Sequence, residues 1–366
     1  MTNILSILAG ILLLGILVAV HEFGHFISAR LCGIEVNEFA LGFGPKLLGW
    51  QSKKSGTQFS VRAIPLGGYC AFYGEDDAEG KTADDPRAYA RQPVWKRMIS
   101  VLMGPGMNFI LAFVVLTLFL WVRGVLVYEP FITAVTEGGP AWEAGIRAGD
   151  VVESVEGTWV MDGTVDTLIG AISAYDGEGG LAMHVRRDDG MFDTVVTPVF
   201  SEEDGRYLTG VMIGLQVRRE SAPDGTMRKV REPITLAEAL RGSWDNCVYA
   251  GGLILNAFKD LITRGEGLDQ TSGPVGVVTL VSEQVREGGF EQFINLLIII
   301  SINLGVMNLL PIPGLDGSRF LFMVLEAIRR KPVPPQKEAV VHLAGMALLF
   351  GAMILLTFRD VLRLFH

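Results

Sequence analysis

Apolar residues in this chain are gathered into blocks. Residues 4–20 carry no charge, and the apolar pattern resumes after His21 and Glu22 as far as Ala29. Residues 98–121 and 293–315 are also uncharged, and 339–358 hold His342 as their one ionisable side chain. A helix crossing a bilayer needs about 20 apolar residues, so four transmembrane helices are predicted. The first block lacks the basic n-region and small-residue cleavage site of a signal peptide, so it is expected to stay in the chain. Elsewhere the pattern changes. Residues 58–64 alternate as a strand would, with a turn expected at Pro65-Leu-Gly-Gly-Tyr69. Between the second and third blocks, short β-rich runs (131–135, 151–155, 181–185, 194–199) are separated by Gly and Asp, with a short helix at 167–174. Residues 218–235 are polar and read as a linker, and 236–258 as an amphipathic helix lying along the membrane surface, weakened at Gly251-Gly252.

Basic residues orient the spans. The connection from Arg30 to Arg97 holds ten, and the short one after the third span holds Arg319, Arg329, Arg330, Lys331 and Lys337, whereas none precedes the first span. Both termini and the long central segment are therefore expected on the outer side. The fold class expected is an α-helical polytopic membrane protein of four transmembrane helices with an inserted β-rich domain. Its segments are a first span at 1–30, a cytosolic connection with a membrane-associated hairpin at 31–97, a second span at 98–121 and the exported domain at 127–217. A linker and amphipathic helix at 218–291, a third span at 292–317, a cytosolic connection at 318–338 and a fourth span at 339–358 complete it.

Composition agrees. Of 366 residues, 49% are hydrophobic and 19% charged, and mean hydropathy is +0.38; soluble domains carry closer to about a quarter charged residues. The net charge of −9 speaks against nucleic acid as a partner. Cys32, Cys70 and Cys247 are odd in number and far apart, which suggests neither a disulfide framework nor a thiolate metal site.

The strongest chemical signal is His21-Glu-Phe-Gly-His25. Histidines four apart on a helix differ by about 400° of rotation and share a face, where they can grip one metal ion. The glutamate after the first can act as general base on water, as in zincins. Ionisable groups at the inner end of a membrane helix are costly unless they serve a function. Catalytic zinc takes three protein ligands. His184 and His366 are poorly placed and His342 is isolated, which leaves Asp316 in Asn308-Leu-Leu-Pro-Ile-Pro-Gly-Leu-Asp-Gly317. Its prolines and glycines break the third span at the depth of the histidines, and irregular backbone survives there only against protein or a water-filled cavity.

Gly138-Gly-Pro-Ala-Trp-Glu-Ala-Gly-Ile-Arg-Ala-Gly-Asp150 resembles the signature of a bacterial PDZ domain, a fold that binds peptides by strand addition. Together with HEFGH and NLLPIPGLDG, it makes nearly the whole chain resemble the site-2 protease family, in particular the bacterial sigma-E regulator proteases. Leu66-Gly-Gly-Tyr69, Gly104-Pro-Gly-Met-Asn108 and Ser272-Gly-Pro-Val-Gly276 match as well. The resemblance implies Zn2+ held by His21, His25 and Asp316, with Glu22 as general base. It implies that Asn303, Asn308 and Pro311 hold the substrate strand and that the hairpin at Gly67, Gly68 and Tyr69 pairs with it. The implied activity is hydrolysis of a peptide bond inside the span of a membrane protein, as the second cut of an anti-sigma factor or on remnant signal peptides. A peptide or substrate tail would meet the PDZ domain, lipid would surround the spans, and the location would be a bacterial inner membrane with the active site near the cytosol. The chain departs from the family at Leu315-Asp-Gly-Ser318 and Gly67-Gly-Tyr-Cys-Ala-Phe72, and the segment between the second and third spans accommodates one PDZ domain. A metal transporter, an inactive PDZ-bearing scaffold and a prenyl-protein type protease are the alternatives; each leaves Glu22, the third ligand or the exported domain without a role.

Overall fold

The computed structural model describes residues 4–75, 82, 85–188, 190–202, 204–222, 226–265 and 273–364. Of the sequence features above, residues 223–225 of the polar linker, Ser272 and His366 lie outside them. The chain divides into two units, Met1–Leu118 with Leu236–His366, and Phe119–Thr235.

The first unit opens with helix α1 (Ile4–Leu31), followed by strands β1 (Val36–Gln51) and β2 (Gln58–Phe72) and helix α2 (Val94–Arg123). The central unit carries β3 (Val125–Leu126), β4 (Tyr128–Val135), α3 (Pro140–Glu143), β5 (Val151–Val155), β6 (Thr158–Trp159), α4 (Asp166–Ser173), β7 (Leu181–Arg187) and β8 (Gly190–Val196). It continues with β9 (Val199–Ser201), β10 (Arg206–Leu208), β11 (Val211–Val217), β12 (Arg219–Ser221), β13 (Met227–Lys229) and β14 (Arg231–Glu232). The chain then returns to the first unit with α5 (Leu236–Arg264), α6 (Pro274–Leu309), α7 (Asp316–Arg329) and α8 (Pro335–Leu364). Helices α1, α2, α6 and α8 are long and apolar enough to cross a membrane, and the chain is a multi-pass membrane protein.

One of the four helices differs from a simple span. Helix α6 is broken at Gly289, whose φ of 60° and ψ of −146° no helix contains. Val277, Val281 and Val285 before the break and Phe293, Leu296 and Leu297 after it all pack into one cluster with Leu13 and Leu17 of α1. A side-chain hydrogen bond from Gln292 Nε2 to Gln284 Oε1 (3.0 Å) bridges the break. The chain therefore doubles back at the Gly288-Gly289 pair, a common site of sharp kinks. Residues 290–309, about 30 Å of helix, suffice to cross the bilayer core. The start of α6 is capped from α8: Gly273 N–H and Gly276 N–H donate to Asp360 Oδ2 at 2.8 and 2.9 Å, which satisfies two of the donors that a helix N-terminus leaves open.

Between α1 and α2 the expected hairpin folds over into four strand segments, with the two outer pairs antiparallel and the central pair parallel in register. Strands β1 and β2 each fold over, so residues 36–43 pair with 64–72 on one side and with 58–61 on the other, while 48–51 pair with 58–61 beyond. Pro65-Leu-Gly-Gly-Tyr69 is thus strand rather than turn. The register slips between Phe43/Ile64 and Leu41/Gly68, and Gly67, at φ 104°, absorbs the extra length as a bulge. The edge strand 64–72 has its outer edge unpaired among the described residues.

In the central unit a sheet of order β11-β4-β5-β7-β8, with β6 beside β5, packs with α4 over a core that includes Ile132, Val152, Leu168, Met183 and Val185. Asp150, 1% exposed, ends the glycine-rich run because it accepts Arg147 N–H (2.8 Å) and Arg187 Nε–H (2.7 Å). The run expected at 194–199 is split between β8 and β9. Residues 218–235 are not an open linker: β12 pairs with β13, and β14 with β3. Their polar composition is that of exposed ribbons, which need no apolar face. Helix α5 also runs straight through Gly251-Gly252 to Arg264. Its Cys247, Ala250 and Ile254 join the cluster of Ile298, Ile302 and Val306, so this face packs on α6. The three cysteines are free thiols.

Candidate metal centre

Three donor atoms converge at the inner end of α1. His21 Nε2 and His25 Nε2 stand 3.3 Å apart, and Asp316 Oδ2 lies 3.2 Å from the first and 3.3 Å from the second. Four bonds of about 2.0–2.1 Å in a tetrahedron place neighbouring ligand atoms about 3.3 Å apart, so this triangle has the size of one face of a zinc tetrahedron. Asp316 Oδ2 is buried and accepts no hydrogen bond. A buried carboxylate oxygen left without a hydrogen bond is expensive, and a cation between it and the imidazoles would remove that cost.

The imidazoles are oriented from α2, which runs antiparallel to α1. His25 Nδ1–H donates to Ser100 O at 2.9 Å, which leaves the Nε2 lone pair facing Asp316. Gly104 makes room for this ring, since a Cβ there would sit 2.2 Å from His25 Nε2. Gly24 plays the reciprocal part on α1, where a Cβ would meet Met103 O at 2.0 Å. One turn after Gly104, the amide of Asn108 lies 3.2 Å from His21 Nδ1, and its Oδ1 is buried without a hydrogen bond. The two ends of an amide are assigned from their surroundings. With Oδ1 facing the ring, the amide would accept His21 Nδ1–H, the pairing that leaves the His21 Nε2 lone pair free for a metal. Ser301 Oγ–H donates to Asn108 O at 2.7 Å and ties this part of α2 to α6.

Asp316 reaches the histidines through an irregular turn. Helix α6 ends at Leu309; Leu310 turns extended, and hydrogen bonds from Ile312 N–H to Leu310 O (2.7 Å) and Leu315 N–H to Ile312 O (3.1 Å) fold residues 310–315. Asp316 then opens α7. Gly317 must be glycine because a Cβ would lie 2.3 Å from both Leu309 O and Leu310 O. Helix α7 is pinned further along by ion pairs of Arg319 with Glu75 (2.7 Å) and Glu326 with Arg97 (2.5 Å).

A cavity of about 380 Å3 opens on the triad, lined among others by Glu22, Gly68, Tyr69, Cys70, Asn308 and Arg319. Glu22 is 8% exposed and lies against the edge strand, since a Cβ at Gly68 would be 3.0 Å from its Cγ. Other residues singled out from the sequence lie apart. Asn303 and Pro311 are exposed and do not line the cavity, and Gly67 faces Phe43, whose ring a Cβ would meet at 2.3 Å. Sequence reasoning passed over the contacts of Gly104 and Asn108, although their spacing of four is the complement of His21 and His25 on an antiparallel helix. It also set His342 aside as isolated, whereas its Nδ1 lies 3.4 Å from Gly314 N.

Comparison with known proteins adds the lineage. A model of peptidase family M50 matches residues 9–352. The regulator of sigma-W protease RasP of Bacillus subtilis (strain 168) is 30% identical over 437 residues, with 98% of this chain and 99% of the relative covered. The zinc metalloprotease RasP of Bacillus licheniformis is 29% identical over 441 residues, with 98% and 99% covered. A chain of Brucella suis biovar 1, assigned as a zinc metalloprotease, is 32% identical over 371 residues, with 97% and 95% covered.

Proposed function

The chain belongs to peptidase family M50, the site-2 proteases, and is a zinc metalloprotease; from that premise we propose that it cuts a peptide bond within the span of a single-span membrane protein, using His21, His25 and Asp316 as zinc ligands and Glu22 as general base. The observation that carries this reading is the meeting of three donor atoms at 3.2–3.3 Å in a cavity shared with Glu22.

When bound there, zinc supplies Lewis acidity that polarises the scissile carbonyl and acidifies water. Glu22 takes the proton of the attacking water as the C–O bond forms, then delivers it to the amide nitrogen as the C–N bond breaks. Ser100 O and Asn108 keep both imidazoles in the tautomer whose Nε2 lone pair faces the site. A spanning substrate is helical, so its backbone must be unwound before a carbonyl is free to react. The unpaired edge at Gly68 and Tyr69 offers the released strand new hydrogen-bond partners. Gly67 sets the bulge that presents this edge, and Asn308, in the cavity wall, serves the substrate on the α6 side, with Asn303 and Pro311, outside the cavity, meeting only the parts of the substrate that extend beyond it. Cavity-lining Asn308 is the one with the most direct support.

The substrate we favour is an anti-sigma factor whose exported part has already been trimmed, in line with the sigma-W regulator named among the relatives. Residues 127–217 act as a PDZ domain on the exported side, binding a substrate tail or excluding untrimmed bulk. The membrane is a bacterial inner membrane, with both termini outside and the metal centre near the cytosol. The test mixes the full chain, or its Glu22→Gln variant, in liposomes with a trimmed single-span anti-sigma factor, with and without a zinc chelator. Chelator-sensitive cleavage within the span by the wild type alone is the expected result. Cleavage by Glu22→Gln at the wild-type rate would overturn the assignment.

A further inference from the structure

Helix α8 is mostly bare: Val340, Leu343, Leu348, Ile354, Leu355 and Phe358 are exposed, as suits a lipid-facing surface. His342 departs from this pattern, with only 13% of its side chain exposed. An ionisable group withdrawn from lipid on such a helix calls for a functional explanation. What it touches is the turn that carries Asp316. Gly314 N–H donates to His342 Nδ1 across 3.4 Å, and Ser318 Oγ lies 3.5 Å from the same nitrogen. The Ser318 hydroxyl is committed to Leu315 O at 2.8 Å, so Nδ1 is the ring atom that serves as acceptor for the backbone, while Nε2 makes no hydrogen bond and lies 3.6 Å from Glu338 Oε1. Almost one turn along α8, Gly345 allows the closest approach, since a Cβ there would lie 2.1 Å from Pro313 O.

These contacts embrace Asp316 from both sides: Pro313 and Gly314 before it, Ser318 after it. Two prolines give the turn fewer backbone donors with which to hold itself, and an N–H left open at membrane depth costs several kcal/mol. We propose that His342 is a positioning residue which, by accepting Gly314 N–H at Nδ1, fixes the turn that presents the Asp316 carboxylate. The proposal rests on the reading of Asp316 as a zinc ligand.

The test uses the full chain with His342→Leu, His342→Gln, His342→Asn and Asp316→Asn. Two quantities are read: zinc affinity by competition with a chelator, and kcat and KM on the trimmed substrate. Asparagine carries its Oδ1 near the place of the imidazole Nδ1, whereas glutamine carries its polar end farther out. His342→Leu and His342→Gln are therefore expected to weaken zinc by about tenfold or more, the scale of lost outer-shell support, and to lower kcat with KM unchanged. His342→Asn is expected to restore both. Wild-type zinc affinity in His342→Leu, or equal behaviour of the Asn and Gln variants, would overturn the proposal. Should the Leu variant fail to accumulate, the Asn and Gln pair decides alone. Retention of zinc by Asp316→Asn would instead remove the ligand reading itself, a separate result read from a separate variant.

Discussion

The Asn108 amide lies 3.2 Å from Nδ1 of His21, so a side chain of α2 governs which face of a histidine on α1 is free for metal. Replacing it with leucine keeps the volume and removes the partner. Asn108→Leu is expected to weaken zinc binding by about 10- to 100-fold, measured by chelator competition on purified protein. Unchanged affinity would mean that His21 is oriented by something else.

Gly104 is expected to tolerate no side chain. A Cβ would sit 2.2 Å from the His25 ring, and the helices cannot part easily, because His25 is also tied to Ser100 O at 2.9 Å. Gly104→Ala should cost about 1–3 kcal/mol of stability, as overpacking does, and displace His25 enough to abolish activity. Gly106→Ala is the control, since a Cβ there meets only Met103 Sδ at 3.7 Å. Thermal unfolding in detergent and chelator-sensitive activity would report both effects.

The sheet beside the site is pinned by Glu38. Its carboxylate accepts Ser60 Oγ–H (2.6 Å), Arg62 Nη2–H (2.8 Å) and Tyr69 O–H (2.9 Å). Burial pushes this carboxyl up, but the three hydrogen bonds outweigh it and hold the group below the usual carboxylate range. A carboxyl depressed on folding stabilises the fold above its unfolded pKa and loses that contribution as pH falls through the folded value. Amide exchange protection of strand 64–72 should thus fall as the medium is acidified below about pH 4. In Glu38→Gln the protection should be lower at neutral pH, and this step on acidification should be absent.

Much of this molecule is legible in its sequence, for physical reasons that differ from element to element. Uncharged runs of helix length have one stable solution in a bilayer, so α1, α2, α8 and the second half of α6 could be read directly. His21, Glu22 and His25 are fixed relative to one another by helix geometry alone, and Asp316 was reached by depth. What escaped depends on distant contacts. The reversal at Gly288-Gly289 lies in a polar stretch before the third uncharged block, which reads equally well as the surface end of a helix, and only the packing of both halves on α1 shows that the chain turns back there. Pro65-Leu-Gly-Gly-Tyr69 has the composition of a turn, yet pairing with residues 36–43 holds it extended, with Gly67 taking up the slack. His342 looked isolated because its neighbours Gly314 and Ser318 stand 28 and 24 residues away.

The most direct test of the account is the zinc content and X-ray absorption spectrum of the purified full chain and of Asp316→Asn. One zinc per chain, with two imidazoles and a carboxylate oxygen at about 2.0–2.2 Å, is the expected result for the wild type, with zinc lost or reduced to imidazole and water ligation in the variant. An identical spectrum and full zinc in both proteins would contradict the assignment of the three ligands.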